Sequence, residues 1–332
     1  MTFISGIPKN VVCFFGRILG ILIYYIDFSH RRIVTRNLKF AYPEWTDEEI
    51  CKISKRVFQN LGITIFEIIQ MVFFSKEDFL RNIRIKGEEH LKNAVAGGKG
   101  VIIISAHLGN WEAASLFSPC YLGYPVTVVA RNIESEFINR RLIKFRSRFG
   151  NSVIDKEGAL PDMTNTLRSG KILALLIDQG TKRSEGVELL IFGKKVTVTP
   201  AAAMLALRCK SPVLPVFCVR EDDRKLTIIV EPPVQLVRTN NLREDLKTNS
   251  QVMTDIIEDI VRKYPDQWLW LHKRWKRFYP ELYPEYIEKR KRRKAKKIKK
   301  IMRNKTSLII YLLCKSFHNK LTGLQYHLPH LM

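Results

Sequence analysis

Between residues 100 and 265 the chain alternates short, wholly aliphatic runs with helical stretches, and that texture narrows the possible folds more than any other feature. The runs cover residues 101–104, 126–130, 172–177, 212–219 and 226–230. A half-exposed strand alternates apolar and polar residues, whereas a continuous aliphatic run is a strand covered on both faces. Helical patterns begin near Trp111, span 134–149, and recur over 247–263, where Pro265 ends the last of them. The prediction is an α/β fold: a mixed, mostly parallel sheet flanked by helices. Phe192-Gly193-Lys194-Lys195 reads as a turn between two strand segments. Upstream, Thr46 and Glu49 form a capping-box pattern ahead of a helical run to Gln59, and residues 62–74 continue as an apolar helix.

The N-terminal segment 11–26 is strongly apolar but only 16 residues long, and it contains Arg17. A full bilayer span needs roughly 20 apolar residues. A short or tilted span, an in-plane amphipathic anchor and a buried core helix are all compatible with it. Lys9 precedes the segment, while Arg31, Arg32, Arg36 and Lys39 follow, which predicts a body on the cytoplasmic side. No small-residue cleavage site follows, arguing against a removed signal peptide. Three parts are expected: a hydrophobic membrane-anchor helix over 1–30, a main domain over 31–285, and a basic tail over 286–332.

The net charge of +24 predicts attraction to polyanions: nucleic acid, anionic lipid, phosphorylated substrates or an acidic carrier protein. Residues 289–305 hold 12 Lys or Arg and no acid, so the tail supplies about half of the excess. The apolar stretch 307–314 is too short to span a bilayer. Six scattered cysteines form no C-x-x-C pair, so neither a disulfide framework nor a zinc site is expected. Trp268, Trp270 and Trp275 beside His272, Lys273 and Arg274 suit base stacking, a lipid-interface belt, or a helix with buried tryptophans. No zinc finger, RNP sequence or recognisable helix-turn-helix supports nucleic-acid binding, and none is expected.

The chemistry concentrates in residues 101–112, VIIISAHLGNWE. The aliphatic strand ends just before His107. Gly109 permits a tight turn, Asn110 can cap a helix starting at Trp111, and Glu112 falls in its first turn, where the helix dipole favours a carboxylate. Along one helix His107 and Glu112 would be rotated about 140° apart. Across a strand–turn–helix junction they can meet, so that Glu112 accepts the imidazole Nδ1–H and leaves Nε2 as a base. The plain alternative is a buried histidine bonded to a backbone carbonyl, with Glu112 an ordinary first-turn acid. The C-terminal strand ends of open α/β sheets are also where such folds bind ligands.

HLGNWE resembles the H-x4-D/E motif of glycerolipid acyltransferases, in the form typical of the lipid A biosynthesis (lauroyl and myristoyl) acyltransferases. Other segments are similar in order and spacing: Arg36-Asn37-Leu38 with Pro43-Glu44, then Ala130-Arg131-Asn132, Arg148-Phe149-Gly150, Asp178-Gln179, Phe192-Gly193 with Thr199, and residues 267–275, QWLWLHKRW. The resemblance covers about residues 12–280 and leaves the basic tail unmatched.

It implies acyl transfer from a thioester, usually on acyl carrier protein, to a hydroxyl of a lipid A precursor at the cytoplasmic face of an inner membrane, without cofactor or metal. His107 would be the general base and Glu112 its partner. Arg131 and Arg148 are candidates for oxyanion stabilisation or phosphate binding, with Arg168, Lys182 and Arg183 as further rim cations. Asn110, Arg131, Arg148, Asp178, Gln179 and Arg274 form the expected substrate-binding set. The rival expectations are a sister enzyme acting on a phosphatidylinositol mannoside or a lysophospholipid, and a non-enzymatic protein binding nucleic acid or anionic membrane.

Overall fold

The computed structural model describes residues 2–133, 135–221, 225–293 and 295–296. Most of the basic tail, with the apolar stretch 307–314, lies outside the described residues. Among the described residues, those up to Phe278 form one compact unit, which includes the N-terminal apolar segment, and those from Tyr279 belong to a second.

The first unit opens with helices α1 (Thr2–Ser5), α2 (Lys9–Ile26), α3 (Phe28–Ala41), α4 (Asp47–Met71) and α5 (Lys76–Asn82). Strand β1 (Ile83–Lys86) and helix α6 (Glu88–Ala96) lead into β2 (Val101–Ser105), α7 (Trp111–Phe117), β3 (Val126–Ala130), α8 (Glu136–Arg146), β4 (Ser152–Asp155), α9 (Leu160–Arg168) and β5 (Ile172–Leu176). A hairpin, β6 (Val187–Ile191) and β7 (Lys194–Val198), precedes α10 (Ala201–Cys209), β8 (Val213–Arg220), β9 (Leu226–Val230) and α11 (Leu242–Lys263). The capping box forms as its sequence predicts, with Thr46 and Glu49 each bonding the other's backbone N–H.

Seven strands build one sheet in the order β1-β9-β8-β2-β5-β3-β4, and every pairing is parallel except β8 with β9. The aliphatic runs are its inner strands: all five residues of β2 and all eight of β8 are buried. The outermost strands, β1 and β4, have no such run in the sequence. Edge strands need cover on fewer sides, so IRIK and SVID carry polar residues among their aliphatics. The β6–β7 hairpin turns through Phe192-Gly193, both at positive φ, which is the turn expected at that place.

Helix α2 is long and apolar enough to cross a membrane by length and composition. One of its faces packs on α4 instead. Gly16, Gly20 and Gly62 form the seam: a Cβ on Gly20 would lie 2.2 Å from the Phe58 carbonyl oxygen, and one on Gly62 would lie 2.1 Å from that of Gly16. Such spacing lets two helix backbones approach far closer than side chains allow. The opposite face carries Phe14, Phe15, Ile18, Leu22, Tyr25 and Ile26, all exposed. Gly20→Ala is therefore expected to push the helices apart and cost about 1–3 kcal/mol of overpacking strain, read as a lower denaturant midpoint; an unchanged midpoint would mean that the seam is loose.

Candidate active site

His107 lies two residues past β2, at the C-terminal edge of the sheet. Its turn needs Gly109: φ there is +58°, and a Cβ would lie 2.0 Å from the Cys218 carbonyl oxygen. Asn110 then starts α7, its Oδ1 accepting from Ala113 N and its Nδ2 donating to Glu67. Glu67 in turn holds the Arg220 guanidinium through Nε and Nη2, at 3.1 and 2.6 Å. Asn110 is thus fully buried beneath the turn. It holds the junction rather than facing an open space.

The imidazole's partner is Asp178, not Glu112. Strands β2 and β5 are parallel neighbours with Ser105 opposite Leu176. Carrying that register two residues further sets 107 beside 178, and His107 Nδ1 lies 2.8 Å from Asp178 Oδ1. Asp178 Oδ2 accepts from the His107 backbone N–H at 3.0 Å and from Trp268 Nε1 at 2.9 Å. Burial by itself would raise the Asp178 carboxyl, but the His107 imidazole, the nearby Arg274 guanidinium and the Trp268 N–H outweigh it and hold the carboxyl well below its usual range. An ionised carboxylate only accepts, so Nδ1 carries the proton and Nε2 is left with a free lone pair. Burial likewise lowers the His107 imidazole, but the charge of Asp178, its hydrogen bond and the charge of Glu112 more than offset this, so the pKa is raised from the ordinary imidazole value.

Glu112 is buried in the first turn of α7, where Arg146 of α8 grips it through Nε and Nη2 at 2.9 and 2.5 Å. The expected imidazole–Glu112 bond is replaced by this guanidinium pair. The turn directs the side chain toward α8, while the parallel register delivers a different carboxylate to Nδ1. Glu112→Gln leaves Arg146 with an uncompensated, largely buried charge and is expected to cost about 3 kcal/mol in denaturant unfolding. Replacing both residues (Glu112→Leu with Arg146→Met) should recover most of that loss. A double variant no more stable than the single one would rule out the pair as the cause.

His107, Trp111, Glu112, Arg146 and Gln179 line one cleft of about 400 Å³. Its deeper wall is aliphatic and small, from Ile103, Ala114, Val126, Val128, Ala174 and Val216. That volume is within the range of ligand sites, which are mostly apolar with a few placed polar groups. Gln179 Nε2 is 3.5 Å from the free His107 Nε2. Arg131, exposed, lines the same cleft, as does His272, whose pKa burial and the nearby Lys276 and Arg274 push down to about 4, so it is neutral at physiological pH. Arg148 is turned elsewhere: its guanidinium donates to the carbonyls of Met71 and Phe74 at the C-terminal end of α4.

The tryptophans are buried. Trp268 orients Asp178, and Trp270 donates to the Pro265 carbonyl. Arg274, also buried, sits 5.6 Å from the Trp268 ring centre, on the Asp178 side of the site rather than in the open cleft. The segment carrying them is tied to the His107 turn through Gly109 N to Gln267 O and Leu269 N to His107 O, both 2.9 Å. Asn37 reaches across to the carbonyls of Trp270 and His272, which accounts for an asparagine so far upstream in the same set of motifs. Arg146 escaped the sequence reading because the α8 region offers five cations between 140 and 148 and periodicity does not single one out.

A mostly parallel sheet with an imidazole at its C-terminal rim, opening on an aliphatic cleft, defines an α/β protein with a candidate active site, and its family identifies it as an acyltransferase. The chain belongs to the bacterial lipid A biosynthesis acyltransferase family, whose model matches residues 1–277. It is 23% identical over 273 residues to the lipid A biosynthesis lauroyltransferase of Escherichia coli, covering 81% of this chain and 87% of that protein. A lipid A biosynthesis acyltransferase of Haemophilus influenzae is 22% identical over 254 residues, 76% of this chain and 78% of the relative. A phosphatidylinositol mannoside acyltransferase of Mycolicibacterium smegmatis is 25% identical over 191 residues, 56% of this chain and 60% of its own.

Proposed function

We propose that this acyltransferase moves a fatty acyl chain from an acyl carrier protein thioester to a hydroxyl of a lipid A precursor, with His107 as general base oriented by Asp178. The observation that carries the reading is the free Nε2 of His107 at the mouth of an aliphatic cleft, with Nδ1 bonded to a buried carboxylate.

The acyl chain lies along the small aliphatic wall, and its thioester carbonyl sits near Nε2. The acceptor hydroxyl gives its proton to Nε2 as its oxygen attacks the carbonyl carbon. Asp178 stabilises the imidazolium that forms. The tetrahedral intermediate collapses by breaking the carbon–sulfur bond, and the imidazolium returns the proton to the thiolate, leaving an ester and a free thiol. No covalent acyl-enzyme is needed. Gln179, 3.5 Å from His107 Nε2, and Arg131, on the same cleft, are the proposed donors to the developing oxyanion. Glu112 acts as a positioning residue: it anchors α8 over the cleft through Arg146 and adds negative charge that favours the imidazolium.

The surface of α2 away from α4 seats the protein on the membrane. An in-plane seat is favoured over a span because α4, packed alongside, carries Lys52, Lys55 and Arg56, and cations in the bilayer centre cost about 2.5–3.5 kcal/mol each on insertion scales. The cations that follow α2, Arg31, Arg32, Arg36 and Lys39, suit the anionic headgroups of a cytoplasmic leaflet, so the proposed seat is the cytoplasmic face of the inner membrane.

Incubation of the purified protein with acyl carrier protein thioester and a lipid A precursor tests the reading. Its expected product is a precursor heavier by one acyl chain. Acylation of phosphatidylinositol mannoside but not of the precursor would overturn the acceptor, and transfer only from acyl-coenzyme A would overturn the donor.

A further inference from the structure

We infer that a second site, a basic groove of about 1100 Å³ beside α2, binds the phosphate of an anionic lipid headgroup. Its walls come from α2, α4, β1, the end of β8, the end of α11 and the segment after it, and it shares no lining residue with the His107 cleft.

Five cations line it: Arg17, Arg56, Arg84, Arg220 and Lys263, against the carboxylates of Glu221 and Asp266. Glu221 is already engaged by Lys86 at 2.6 Å and by Thr227 at 2.9 Å. Arg17 and Arg56 are exposed and pair with no carboxylate among the described residues. The inner wall adds an independent sign. Arg220 is buried, and its Nε and Nη2 are committed to Glu67, but its Nη1 meets no acceptor among the described residues. A buried N–H on a charged group without an acceptor is costly; Arg220 lines the groove, so a small shift of its guanidinium toward a ligand oxygen there would relieve it. Guanidinium groups converging on one space match the geometry of phosphate oxygens.

A lipid is the favoured source because one wall is α2. Arg17 sits on the flank between that helix's packed face and its exposed apolar face. A headgroup in the groove therefore leaves its acyl chains beside Phe14, Ile18 and Leu22. This part of the inference rests on the membrane seat proposed for α2, so the test uses lipid monomers in solution, where no membrane is required.

Full-length protein is titrated calorimetrically with dihexanoyl phosphatidylglycerol below its micellar range, with dihexanoylglycerol as the phosphate-free counterpart and with inorganic phosphate. The phosphatidylglycerol is expected to bind and dihexanoylglycerol to give no heat. Arg17→Glu with Arg56→Glu should weaken binding at least tenfold. Lys99→Glu with Lys171→Glu, the same charge change at the opposite end of the strands, should weaken it less than twofold. His107→Ala should bind as the unaltered protein does, separating this site from the acyl-transfer reading. Equal weakening by both charge reversals would mean diffuse attraction and would overturn the site. Inorganic phosphate binding as tightly as the lipid would overturn the lipid source while keeping the phosphate site. If Arg17→Glu with Arg56→Glu instead abolished binding of acyl carrier protein and left lipid binding intact, the groove would be a protein-docking surface and the inference would fall.

Discussion

His107→Ala lowers the rate of acyl transfer by about 10³–10⁴-fold, near the upper end of what a positioned general base contributes, and leaves the fold intact. The second half of that expectation follows from Asp178. Without the imidazole, the buried carboxylate keeps the backbone N–H of residue 107 and the indole N–H of Trp268, so no buried charge is stranded. The lost transfer is therefore chemical and not a consequence of unfolding. Thermal unfolding and single-turnover transfer measured on the same preparation check both halves. A variant that keeps more than a tenth of the normal rate would remove His107 from the mechanism.

Asp178→Asn is expected to be nearly as damaging, at about 10³-fold or more in kcat, although it changes no shape. An amide can still accept from Trp268 and from the backbone, but it presents N–H toward Nδ1 and favours the tautomer that carries its proton on Nε2. That nitrogen is then no longer a base, the same loss that follows when the acid of a Ser-His-Asp triad becomes an amide. The pH dependence gives a second signature. Because Asp178 and Glu112 raise the His107 pKa above the ordinary imidazole value, transfer should climb with pH through that raised pKa and level off once the imidazole is neutral. Asp178→Asn removes the largest raising influence, so its residual activity should level off at lower pH. Equal midpoints in the two proteins would argue that Asp178 does not act through His107. Glu112→Gln should shift the midpoint in the same direction but less, with its main effect on stability.

The relation between the two carboxylates shows where the sequence is informative about the site and where it is not. His107, the glycine turn, the Asn110 cap and the first-turn position of Glu112 are all local, set by residues within five positions of one another, and each forms as the residue pattern predicts. Which acid meets the imidazole is a different matter. It depends on β2 and β5 being neighbours in one particular register, which pairs residues 71 positions apart, and periodicity is silent on strand order. Asp178 stood out at the end of an aliphatic strand, but as a substrate-binding candidate. Arg148 and Arg146, two residues apart on the same stretch, could not be sorted by pattern, since only the packing of α8 decides which one faces the cleft.

The aliphatic runs by themselves determined the α/β class, the inner strands and the position of the imidazole at a strand end, because burial on both faces writes itself directly into composition. The charge and the apolar N-terminal segment likewise marked a surface suited to anionic partners. The tertiary structure alone decided the His107–Asp178 pair, the burial of the tryptophans that hold it, the edge strands β1 and β4, and the glycine seam that turns one face of α2 inward. Each of these is a contact between residues far apart in the chain, and its energy depends on a three-dimensional neighbour that no local pattern records.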